Sequence, residues 1–245
     1  MDISLLIPVI LGWLAAWLVN YLSDVLPATR RFSRPACPHC HTEAAWGDYL
    51  LFKKCQACGK SWRLRAIIVQ ALTVAIAIYI WINPPTRLGF WITFIVLVYM
   101  LVVMVIDLEH RIVMHPVSLF GAALGLIIGT KLHGLPEALA GGVAGLGFMY
   151  ILYAFGQLFS KQMSKRRGEP IEDALGFGDV TLSGVLGLFL GWPLIAAGLV
   201  GSILFGGVIT LFLVIGMLVT KRYQAFTAIP YAPFLIIGAL YILLK

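Results

Sequence analysis

Charge is scarce in this sequence: Asp, Glu, Lys and Arg together make up 12% of its 245 residues, about half the quarter carried by an ordinary soluble domain. Acidic residues are scarcest, eleven in all, and there are only four cysteines, confined to one stretch. No repeat of solenoid period is visible, and outside residues 23–65 no segment is polar enough to fold in water. With 60% hydrophobic residues and a mean hydropathy of +0.94, these shortages exclude a disordered chain and a water-soluble globule. The bilayer is the main solvent.

The apolar runs predict an all-α polytopic membrane protein. Spans of roughly 17 to 25 residues place helices near 3–22, 66–82, 88–106, 117–132, 137–159, 180–191, 194–219 and 231–244, which makes about eight crossings. The sixth is short and rich in glycine, so it must lean on neighbouring protein. Fifteen of the eighteen Lys and Arg residues fall in the loops 23–65, 107–116, 160–179 and 220–230, leaving Arg87, Lys131 and Lys245 on the opposite side. The positive-inside rule puts those four loops in the cytoplasm and reads the chain as a bacterial inner-membrane protein, in contact with membrane lipids. The same rule accounts for the net charge of +7, which therefore implies no nucleic-acid partner. The first helix lacks a basic flank before it and a small-residue cleavage site, and reads as retained.

The domain reading is a first transmembrane helix over 1–22, a cytosolic tetra-cysteine segment over 23–65, and a membrane domain over 66–245. All four cysteines lie in the middle segment, as Cys37-Pro38-His39-Cys40 and Cys55-Gln56-Ala57-Cys58. Two Cys-x-x-Cys pairs fourteen residues apart supply four thiolates for a structural Zn²⁺ of zinc-ribbon type, the staple that so small a loop domain needs. Disulfides are disfavoured by a reducing cytoplasm. His39 and His41 read as surface residues.

Most acids sit at outer ends or in polar loops. Asp107 and Glu109 follow the apolar run that ends at Ile106, and Asp179 sits between Gly176-Phe177-Gly178 and the apolar stretch from Val180. A single aspartate at a helix end serves well as an anchor or cap. The two glycines beside Asp179 add something that a cap does not require, namely close backbone approach and access to positive φ. If Asp107 and Asp179 meet across the bundle at one membrane face, they share a proton, which is the chemistry of an aspartic protease. Alternatively the pair binds a cation or relays protons in an ion- or proton-coupled transporter with a cytosolic zinc module. Transport carboxylates, however, more often lie at the bilayer midplane. The prolines of Pro230-Tyr231-Ala232-Pro233 read equally as a wall of a cleft or as a helix-start signal. The glycines 141, 142, 145 and 147 read as close packing within the protein, or as a face offered to another apolar helix.

Four pieces in order resemble the type IV prepilin peptidases, membrane aspartic proteases of the Gly-x-Gly-Asp class. They are the double Cys-x-x-Cys loop, Ile106-Asp107-Leu108-Glu109-His110-Arg111 followed by Pro116, Gly176-Phe177-Gly178-Asp179, and Ile229-Pro230-Tyr231-Ala232-Pro233-Phe234-Leu235. The resemblance implies cleavage of prepilins or pseudopilins at the cytoplasmic face, after a glycine that ends a short basic leader. It makes Asp107 and Asp179 the catalytic pair. Gly176, Phe177, Gly178, Glu109, Pro230 and Pro233 become motif residues near the substrate. Many family members also methylate the new N-terminus with S-adenosylmethionine. On that side the chain departs from the pattern: Asn20 stands in an Ala15-Ala16-Trp17-Leu18-Val19 context, Gln70 stands where a Glu is common, and Met114-His115 precedes Pro116.

Overall fold

The computed structural model describes residues 3–37, 40, 42–50, 52–59, 64–167, 175–220 and 230–245. His39, His41, Glu169, Glu172, Asp173 and Ile229, with the basic residues Lys60, Arg63, Lys221 and Arg222, lie outside the described residues. The described chain is helical: α1 (Leu6–Thr29), α2 (Trp46–Leu50), α3 (Leu64–Ile82), α4 (Gly89–His110), α5 (His115–His133), α6 (Leu135–Arg167), α7 (Phe177–Leu190), α8 (Leu194–Val219) and α9 (Ala232–Leu243). The eight expected helices are all present. Six have the length and apolarity to cross a bilayer, whereas α7 and α9, at 14 and 12 residues, are shorter. At 1.5 Å per residue α7 reaches about 20 Å, against about 30 Å of hydrocarbon.

The chain forms two compact units, Met1–Ile106 and Asp107–Lys245. In the first, α1 and α3 pack closely in antiparallel fashion. A Cβ on Gly12 would come within 2.9 Å of Val74 Cα, and two side-chain amides bridge the helices, Asn20 Nδ2 donating to Ala66 O (3.2 Å) and Gln70 Nε2 to Trp13 O (3.0 Å). Such bridges matter where no water competes. At the polar end of this pair, Asp24 accepts from Tyr49 Oη (2.9 Å) and forms a largely buried ion pair with Arg65. Asp24 and Arg65 stand at the two ends of the cysteine-bearing segment, so this node closes the loop at its base. Burial and the facing carboxylate raise the Tyr49 pKa, which keeps the phenol protonated and able to donate.

In the second unit α7 is the central helix, packed by α5, α6, α8 and α9. Ten of its residues, including Asp179, Leu182, Leu186 and Phe189, are buried. This explains how so short a helix is stable: its backbone bonds are internal and its sides meet protein. Glycine makes the fit possible. A Cβ at Gly187 would fall on the Gly141 carbonyl oxygen, one at Gly145 on the Ser183 carbonyl, and one at Gly129 on the Leu188 carbonyl. The α6 glycines therefore serve packing against α7, with Gly147 alone of that set open. Gly187→Ala is expected to lower the thermal unfolding midpoint in detergent, through an overpacking cost of about 1–3 kcal/mol. The matched control is Gly201→Ala, with nothing within 4 Å of its Cβ position, and it should leave the midpoint in place. Equal midpoints for the two variants would contradict the packing account.

Candidate active site and metal centre

Asp107 is not beyond the end of its helix, as the change from apolar to polar residues suggested, but in the last turn of α4. The helix continues through Leu108, Glu109 and His110 and stops at Arg111, which takes a left-handed conformation (φ 55°) and returns its N–H to Asp107 O at 2.8 Å. Asp179 likewise lies inside α7. Gly176 is the N-cap, in extended conformation, and Asp179 is the third helical residue, its own N–H donating to Gly176 O at 3.1 Å. A carboxylate in a first turn sits favourably in the positive end of the helix dipole.

The reason for the two glycines differs from the expectation. Gly176 has φ −79° and Gly178 is helical, so neither uses the positive-φ freedom. What Gly178 supplies is proximity: a Cβ there would lie 2.8 Å from Val113 Cβ and 3.2 Å from Val113 N. The α7 N-terminus thus presses on the turn that follows Asp107.

Both carboxylates are buried, Asp107 at 4% and Asp179 at 8% exposure, and they lie within electrostatic reach of each other inside the second unit. The backbone N–H of Ala232, the first residue of α9, lies against the Asp107 carboxyl, while Asp107 Oδ2 is buried with no hydrogen-bond partner among the described residues. A buried carboxylate oxygen left unpaired is costly and calls for a guest. Phe177 is half exposed at the rim, its ring in a T-shaped contact with Tyr153 at 5.7 Å. Glu109 is two residues beyond Asp107 on the same helix and therefore faces another direction.

Of the two prolines, Pro233 is in the first turn of α9 and buried, where a missing N–H costs nothing. Pro230 precedes the helix. The turn is both a helix start and part of the wall, because it delivers Ala232 N–H to Asp107. Tyr231 also belongs to the site. Burial raises its phenol pKa, and the Asp179 charge raises it further. Sequence reasoning passed over Tyr231 and Ala232. The signal was there, in a dipeptide set between two prolines.

In the first unit the four cysteines converge. Cys37 Sγ and Cys58 Sγ are 3.7 Å apart, Cys40 Sγ and Cys55 Sγ 3.6 Å, and all four sulfurs lie within 4.8 Å of one another. A tetrahedron with Zn–S bonds of about 2.3 Å has edges near 3.8 Å, so the sulfur spacing fits zinc and is far too long for a disulfide bond of about 2.05 Å. The first knuckle is a tight antiparallel turn closed by Cys37 N–H to Thr42 O (2.9 Å) and Ala44 N–H to Pro35 O (2.7 Å). The second ends at Gly59, whose φ of +69° suits glycine. Hydrogen bonding from Thr42 lowers the Cys40 thiol to about 6, so it is already thiolate at neutral pH, as a metal ligand must be.

On the side where the chain departs from the family pattern, Asn20 and Gln70 each leave a buried amide oxygen unpaired among the described residues, while their amide nitrogens bridge α1 and α3.

Residues 94–215 match the model of the type IV leader peptidase family. A protein of Aeromonas hydrophila named prepilin leader peptidase/N-methyltransferase is 26% identical over 227 residues, covering 88% of this chain and 72% of that protein. Relatives bearing the same name are 27% identical in Pectobacterium carotovorum, over 72% of this chain and 63% of theirs, and 28% identical in Legionella pneumophila, over 84% and 70%. No solved structure matches the chain significantly.

Proposed function

We propose that this chain, whose residues 94–215 belong to the type IV leader peptidase family, is a prepilin peptidase that works through an aspartate pair formed by Asp107 and Asp179. The observation that carries the reading is the burial of two carboxyls, 72 positions apart along the chain, in one compact unit, one of them with a buried oxygen that has no hydrogen-bond partner among the described residues. Two such groups near each other hold one proton between them. The ionised member takes a proton from the attacking water, and the protonated member gives its own to the carbonyl oxygen of the scissile bond.

Gly176, Phe177 and Gly178 form the approach to Asp179, and Pro230 with Pro233 fixes the turn opposite. The substrate is a prepilin or pseudopilin whose basic leader ends in glycine before an apolar segment. Its apolar part stays in the lipid, while the cut is made at the cytoplasmic face, the side to which the fifteen Lys and Arg residues assign these loops. Because those charges repel a basic leader, Glu109, Glu169, Glu172, Asp173 and anionic lipid supply the attraction.

Cys37, Cys40, Cys55 and Cys58 would hold a structural Zn²⁺, whose part is to fold their loop. Methyl transfer is an activity carried in the relatives' names. The transporter reading is weaker, since both carboxylates occupy helix ends, not a break in mid-helix.

Purified protein in detergent, given a peptide with a short basic leader ending in glycine before an apolar helix, should cut once, after that glycine. Mass spectrometry of the new N-terminus reads both the cut and any added methyl. An intact peptide at high enzyme concentration would refute the proposal.

A further inference from the structure

The step from Tyr231 to Ala232 touches both aspartates. The Ala232 N–H lies against the Asp107 carboxyl, and the Tyr231 phenol lies within the field of Asp179 without hydrogen-bonding to it among the described residues. The phenol is held from behind. Its ring packs on Phe234 at 6.1 Å, Phe234 on Phe205 at 6.2 Å, and Phe234 also fills the space over Gly206. Tyr231 itself is only half buried, and its hydroxyl has no partner among the described residues. The Tyr231 ring, packed on Phe234, thus carries a hydroxyl without a partner among the described residues, next in the chain to the Ala232 N–H at Asp107 and within the field of Asp179.

We propose that the Tyr231 hydroxyl is a third hydrogen-bond donor of the reaction, directed at the oxygen of the scissile carbonyl. The inference rests on the peptidase reading above and adds a residue to it. In the attack step the water oxygen bonds to the carbonyl carbon, the ionised aspartate accepts the water proton, and the C=O electron pair moves onto oxygen. That oxygen takes the proton of the other aspartate. Collapse then re-forms C=O, breaks the C–N bond and returns a proton to the leaving nitrogen. Tyr231 keeps its proton throughout. Its contribution is a dipole already aimed where negative charge accumulates, the kind of donor whose removal slows acyl transfer by about 10²–10³-fold. The raised phenol pKa is consistent with this, because a tyrosinate would repel the same oxygen.

The test is Tyr231→Phe, measured beside fluorotyrosines incorporated at position 231 of the full-length protein. Tyr231→Phe should lower kcat about 10²-fold with KM within about threefold. The unfolding midpoint should stay in place. Within the fluorotyrosine series kcat should track phenol acidity, which a purely structural ring would not produce. Wild-type kcat in Tyr231→Phe overturns the proposal, as does a flat response across the fluorotyrosines. Cleavage that survives Asp107→Asn would instead remove the underlying dyad, so the two failures are distinguishable.

Discussion

Asp107→Asn and Asp179→Asn should each abolish cleavage, with kcat/KM falling by at least about 10³-fold, while the unfolding midpoint stays within a few degrees of the wild type. The size of the loss follows from the division of labour. One carboxyl must accept a proton from water while the other donates to the carbonyl, and each role taken alone is worth about 10²–10⁴ in rate. An amide of nearly the same shape can do neither. Groups that act as a unit also fail as a unit, so the double variant should be no slower than either single one. Stability is expected to hold because Asp107 already has one oxygen unpaired in its buried position. Replacing that oxygen's charge by a neutral amide removes a desolvation cost and breaks no ion pair among the described residues. Progress curves with a fluorogenic leader peptide, run beside a thermal melt of the same preparation, measure both halves. Either variant cleaving at the wild-type rate would exclude the pair, and a variant that loses its fold along with its activity would show a structural role.

Particular residues show how far the sequence could be read. Apolar runs located every long helix, because a helix in lipid must be apolar over most of its length. They placed the ends badly. α1 continues to Thr29 through Pro27, α6 to Arg167, and α4 carries Asp107, Glu109 and His110 within it. Hydropathy marks where lipid begins, whereas backbone hydrogen bonding runs on into the polar zone. The glycines of α6 and α7 were legible as close packing but not as a pair. Only the folded chain puts Gly141 against Gly187. The aspartates stood out because acids are so few. Tyr231 and Ala232 did not, since their importance arises from α9 reaching back to Asp107, a tertiary contact with no local pattern. The four cysteines were the clearest reading of all, as ligand type and spacing define a zinc knuckle before any folding is considered.

Removing the metal from those cysteines should be the second large effect, and it should be confined to one segment. Among the described residues between Arg30 and Gly59, Pro35, Cys37 and Tyr49 are the buried apolar side chains, far too little to offset the conformational entropy of ordering the segment. Structural Zn²⁺ in peptides of this kind contributes an apparent 10–16 kcal/mol or so at neutral pH, which makes the bound metal the main reason for the loop to hold its shape. A strong chelator, or Cys37→Ser, should therefore reduce bound zinc from one equivalent to near none and open the segment around Cys37–Gly59 to limited proteolysis. The helices should persist, because α1 and α3 keep their amide bridges and the Asp24–Arg65 ion pair lies at the base of the loop. Acid should act the same way through Cys40. Its folded pKa of about 6 lies below the ordinary value of a free thiol, so the stabilising thiolate is fully favoured above that unfolded value and is lost as pH falls through about 6. Zinc uptake by the metal-free protein should then be fast at neutral pH and weaken below that point, as followed with a coloured zinc indicator. A metal-free loop as resistant to protease as the loaded one would show that the cysteines hold the segment by some other means.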